Sequence, residues 1–81
     1  MKSLADSPRR TPMRVAVIGG SRSFRRRLME MGLVPGTEVA VIGVAPLGDP
    51  LQIEVRSSRW SIRRIEAEQI AVTDVAEPAR G

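Results

Sequence analysis

The 81-residue chain carries thirteen basic and nine acidic side chains, a net charge of +4, and neither cysteine nor histidine. That composition excludes a disulfide scaffold, a thiolate or imidazole zinc site, and histidine-based acid–base catalysis. The length suits one small domain, and with Phe24 and Trp60 as the sole aromatics its core must be aliphatic.

Residues 1–12 are polar, hold Pro8, Arg9, Arg10 and Pro12, and contain no apolar run of the kind a signal peptide needs. They read as a mobile or loosely docked arm, which Leu4 could anchor to the domain by one apolar contact. Arg14 to Ile18 is a first strand, rich in β-branched residues and ended by Gly19-Gly20. Ser21 or Ser23 then caps a helix, on which Phe24, Leu28 and Met31 share an inward stripe. Arg25 and Arg26 point away from that stripe and Arg27 flanks it. Gly32 suits the left-handed position that ends a helix, and Pro35-Gly36 the turn that follows.

Glu38 to Val44 is a second strand, with Val39 and Val41 inward. Pro46 to Pro50 is an exposed loop with a Gly-Asp-Pro turn. Leu51, Ile53 and Val55 then alternate with Gln52, Glu54 and Arg56, the clearest strand signal in the chain. Ser57-Ser58 connects to Arg59–Ile62, where Trp60 and Ile62 share a face. Arg63 to Gln69 holds a single helical turn, and Ile70 to Val72 is a closing strand. The fold class is therefore mainly β: a small five-stranded barrel with one short α-helix inserted after the first strand. The predicted organisation is an arm over 1–12, a barrel domain over 13–75 and a tail over 76–81. Barrel closure would remove free sheet edges. Oligomerisation is one way for so small a core to gain stability, and a homo-oligomer is one expectation. No stretch approaches the ~20 apolar residues of a membrane span, so a soluble, cytoplasmic protein is expected.

Val15–Ser21 superficially resembles the opening of a dinucleotide-binding fold. Its glycines are adjacent, no third one follows, and the chain is too short for the βαβ unit the fingerprint requires. The Ser21-Arg22-Ser23 segment is better explained by capping than by anion binding. Glu30, Glu38, Asp49, Glu54, Glu66 and Glu68 form no dense ligand motif, so no metal site and no cofactor are expected. No nucleophile sits in a recognisable elbow and no base is present to activate one, which argues against an enzyme. Charge is uneven: residues 1–64 hold twelve basic and five acidic side chains, residues 65–81 one basic and four acidic. Arginines 25–27, 56, 59, 63 and 64 could form a phosphate-binding surface. Nucleic-acid-binding barrels add aromatic stacking platforms, and both aromatics here are assigned to the core.

Two motifs carry a resemblance. Arg27-Leu28-Met29-Glu30-Met31-Gly32-Leu33-Val34-Pro35-Gly36 is followed by Ala45-Pro46-Leu47-Gly48-Asp49-Pro50. After the alternating strand, Arg63 and Glu66-Ala67 precede Ile70 and Val72. In this order the pattern resembles the FeoA family, ferrous iron transport protein A, over residues 12–75. The chain departs from it at Ser57, where the family usually has Gly, at Trp60, where Leu is usual, and around Arg9–Pro12. The resemblance implies an SH3-like barrel acting as an adaptor or regulator of ferrous iron uptake through the cytosolic part of the FeoB transporter. Two surfaces are candidates for that contact. One is the loop Pro46, Leu47, Gly48, Asp49 and Pro50, in which a leucine flanked by prolines is pre-ordered; the other is the outward helix face of Arg25, Arg26 and Met29. Two alternatives stand beside this reading. One is an SH3-like regulatory module of the iron-dependent repressor type, and the other a small basic barrel that binds nucleic acid.

Overall fold

A computed structural model describes residues 2–75. It contains six strands: β1 (Lys2–Ser3), β2 (Met13–Ile18), β3 (Glu38–Val44), β4 (Leu51–Val55), β5 (Ser58–Ile62) and β6 (Ile70–Asp74). Helix α1 (Arg22–Glu30) follows β2, and a single turn, α2 (Arg64–Ala67), precedes β6. The strands form one antiparallel sheet in the order β1-β6-β2-β3-β4-β5. The predicted barrel is thus present with one more strand than expected, and its ladder stays open between β5 and β1.

The extra strand comes from the predicted arm. Residues 2–12 are docked, with Leu4 as the anchor: Lys2 and Ser3 pair with Val72 and Ala71, and Leu4 is completely buried in the core. The Arg10 N–H donates to the Val41 carbonyl at 2.7 Å. One buried leucine and three backbone attachments are enough to seat a segment whose composition is otherwise that of a loop. The predicted tail, 76–81, lies outside the described residues.

Alternation along the strands builds the core. Met13, Val15, Val39, Val41, Leu51, Ile53, Val55, Ile62, Ile70 and Val72 all point inward, as period-two geometry demands of a sheet with one wet face. A bulge at Ala16, opposite the Val72/Ala71 step of β6, breaks that alternation. It turns Val17 outward, 55% exposed, although Val15 two residues earlier is buried.

Helix α1 begins where the Ser21 hydroxyl accepts the Phe24 N–H at 3.1 Å. It ends in a Schellman motif: the Leu33 N–H donates to the Leu28 carbonyl and the Gly32 N–H to the Met29 carbonyl, with Gly32 at φ +92°. The reversal carries Leu33 into the core beside Leu28. The third residue of the predicted inward stripe is displaced by it. Met31 lies beyond the last helical residue and is 43% exposed, and Leu33 occupies the core in its place.

Candidate functional site

Helix α1 is attached to the barrel along a narrow line. Leu28 is its one fully buried residue, Phe24 is half-buried against the core, and a groove runs along each flank. Residues 25 and 29 fall on one flank and residues 27 and 31 on the other, as 3.6 residues per turn requires.

The first groove, about 290 Å³, is lined by Ala16, Val17, Ile18, Arg25, Met29, Leu33, Val34 and Pro35. It exists because β2 pairs with β3 only at Met13 and Arg14. Beyond them the Leu33–Gly36 segment crosses over β2, anchored by the Gly36 N–H on the Val15 carbonyl and the Val15 N–H on the Thr37 carbonyl. Met29 is 59% exposed and Val17 lies opposite, so the lining is apolar with a single guanidinium. Of the predicted helix-face residues, Arg25 and Met29 line this groove and Arg26 does not. Val17 escaped the sequence reading because its exposure depends on the bulge, which strand periodicity alone does not show.

The second groove, about 430 Å³, lies between α1 and β5. It is lined by Arg27, Leu28, Met31, Pro50, Trp60, Ser61, Ile62, Arg63 and Glu66. Glu66 bridges its rim: one carboxylate oxygen pairs with the Arg27 guanidinium and the other accepts the Arg63 backbone N–H at 3.0 Å. Burial pushes the Glu66 carboxyl upward, but the Arg27 hydrogen bond, the Arg63 N–H and both positive charges outweigh it and hold it below its ordinary value. The guanidinium of Arg27 also lies over the Phe24 ring, 5.7 Å from its centroid. The Trp60 indole N–H is buried and has no hydrogen-bond partner among the described residues. Trp60 is only partly buried and packs against the core rather than within it.

The predicted loop, Pro46–Pro50, is rigidly tied down. Its ends are closed by the Ala45 N–H on the Pro50 carbonyl and the Gly48 N–H on the Ala45 carbonyl. Asp49 accepts the Arg64 N–H at the start of α2, and the Gly48 carbonyl accepts Arg64 Nε, each at 3.0 Å. Asp49 and Gly48 therefore have structural partners, while Leu47 projects from the tip, 96% exposed. Pro50 belongs to the second groove, so neither groove brings the loop together with Arg25 and Met29.

Among the described residues no three His, Cys, Asp or Glu side chains converge, and no helix is long and apolar enough to cross a membrane. The fold and its two grooves define the class as a small SH3-like barrel. The family model for the FeoA domain matches residues 2–74, and the chain belongs to that family. It is 36% identical over 62 residues to an Fe(2+) transport protein A/Fe(2+) transporter FeoB fusion protein of Porphyromonas gingivalis, covering 76% of this chain but only 7% of that protein. FeoA of Chlorobium tepidum superposes with a TM-score of 0.87 at 34% identity, over 95% of this chain and 73% of that one. A Stenotrophomonas maltophilia FeoA solved with zinc and described as an SH3 domain protein gives 0.75 at 32%, over 89% of both chains. A manganese-dependent transcriptional repressor shares the fold at 15% identity, with a TM-score of 0.81 over 91% of this chain and 41% of that one.

Proposed function

We propose that this chain serves ferrous iron uptake as an accessory domain that docks on the cytosolic part of a FeoB-type transporter. One observation carries the reading: the P. gingivalis relative joins Fe(2+) transport protein A to FeoB in one polypeptide. A covalent tether raises the effective concentration of one module at the other, and has that consequence only where the two meet. The surface best suited to the contact is the groove between β2 and α1, where Met29 and Val17 offer apolar area beside Arg25. Completing the burial of Met29 would contribute about 1–2 kcal/mol. Docking that favours one transporter conformation shifts its population by that difference in affinity. An iron-carrier role suits the chain less well, since it has no imidazole or thiolate to offer.

The test is a calorimetric titration into the cytosolic domain of FeoB, with and without guanine nucleotide, and with duplex DNA in parallel at ~150 mM salt. Saturable binding to the FeoB domain is expected, weakened by Met29→Glu while thermal unfolding stays unchanged. Binding to DNA alone, falling steeply as salt rises, would overturn the proposal.

A further inference from the structure

The open side of the barrel has a chemistry of its own, independent of the docking reading above. Strand β5 is last in the sheet, so among the described residues one of its edges has no strand partner. The two-residue turn Arg56–Ser57 makes Val55 and Ser58 the closing pair of a hairpin, and the closing pair of such a hairpin is hydrogen-bonded. Alternation then assigns ladder bonds to Trp60 with Ile53 and to Ile62 with Leu51. It turns the N–H and C=O groups of Arg59 and Ser61 toward the free edge. Beside that edge lies the groove under α1, with Leu28, Met31, Trp60 and Ile62 as its apolar lining.

Charge decides what fits there. Arg59, Ser61 and Arg63 are exposed; the Arg59 guanidinium is shared with Glu54 across the hairpin at 3.5 Å, while among the described residues Arg63 has no carboxylate within 4 Å of its guanidinium. A second copy of this chain fits poorly, because symmetric antiparallel pairing about Ser61 would set Arg59 directly against Arg63, and like charges so placed repel. An acidic strand meets the opposite situation at the same two positions.

We infer that β5 is a strand-addition site: an extended polypeptide segment alternating aliphatic and acidic residues pairs with its free edge. The aliphatic side chains enter the groove beside Trp60 and Ile62, and the acidic ones meet Arg59 and Arg63. Backbone pairing supplies the register, and the groove and the arginines supply the selectivity.

The probe is an end-blocked six-residue peptide alternating valine and glutamate, followed through the fluorescence of Trp60, the single tryptophan of the chain. Controls are the valine–lysine peptide and a valine–glutamate peptide N-methylated at alternate nitrogens. A saturable emission change is expected with the first peptide. Binding should be about tenfold weaker or less with either control, a difference of about 1.4 kcal/mol. Arg63→Glu, with Arg59→Glu as a second variant, should shift preference toward the lysine peptide. Amide exchange at Ser61 should slow when the peptide binds. No emission change at millimolar peptide would overturn the inference. So would equal binding of the N-methylated or lysine peptide, or an emission change that tracks protein concentration without peptide.

Discussion

Replacing Leu28 by alanine tests the claim that one side chain fastens α1 to the barrel. Leu28 is 1% exposed and is the one buried residue of the helix. The substitution removes three carbons, and at ~0.8 kcal/mol each the lost transfer energy is about 2.4 kcal/mol. A sealed void would add a further penalty. Leu28, however, lines the 430 Å³ groove, so the vacated space joins solvent and that penalty largely disappears. The expected loss is about 2–3 kcal/mol, against about 3–5 for Ile53→Ala in the closed core. For a described domain of 74 residues, whose whole stability is roughly 4–11 kcal/mol, this lowers Tm by about 10–20 °C. Urea unfolding of both variants measures the difference. Native-state amide exchange should show α1 losing protection ahead of β3 and β4, because the helix has no second anchor of that size. A loss equal to or larger than that of Ile53→Ala, or α1 amides as protected as those of β4, would refute the argument.

Two left-handed positions should respond in opposite directions. A Cβ at Gly32 meets nothing within 4 Å, so Gly32→Ala carries backbone strain alone, about 1–2 kcal/mol of lost stability by thermal melting. Arg56 already holds φ +58°, so Arg56→Gly relieves that strain and raises stability by about 0.5–1 kcal/mol net of glycine's entropy cost. Glu66 has a folded-state value depressed below 4.5, so its contribution is present above that pH and is lost as pH falls through the depressed value. Glu66→Gln should therefore be less stable than the parent at pH 7, and the two stabilities should converge in acid; a gap that stays constant as the pH is lowered would contradict the assignment. Leu47→Ala should leave Tm unchanged, since the side chain is almost wholly exposed, and weakened binding to the FeoB domain would identify the loop tip as part of the contact.

What the sequence revealed follows from which signals are local. The Leu51–Val55 alternation and the helix from a serine cap to Gly32 are written in neighbouring residues, and both appear where expected. The seating of residues 2–12 depends on Leu4 meeting residues more than sixty positions away, a contact no window along the chain contains. Met31 fits the helical period, but the chain reverses at Gly32 and offers Leu33 to the same space. The bulge that exposes Val17 and the free edge of β5 are properties of pairing, invisible until the register is known. Helical spacing sets Arg25, Arg26 and Met29 away from the inward stripe, but only Arg25 and Met29 line the groove beside β2, a division that depends on where the barrel wall stands.

The two grooves can be separated by experiment because they share one wall and little else. Met29 and Arg25 touch only the β2 side, whereas Arg63, Trp60 and Glu66 touch only the β5 side. Met29→Glu should therefore spare the strand-addition site, and Arg63→Glu should spare the transporter contact. Leu28→Ala acts on both, since it loosens the helix that walls each groove. The fold explains this sharing. Helix α1, held by one leucine and the Arg27–Glu66 pair, lies as a light cover with β2 on one flank and β5 on the other, and so walls both grooves. A lightly held cover leaves backbone and apolar groups within reach of another chain, which a closed barrel of the same residues would not.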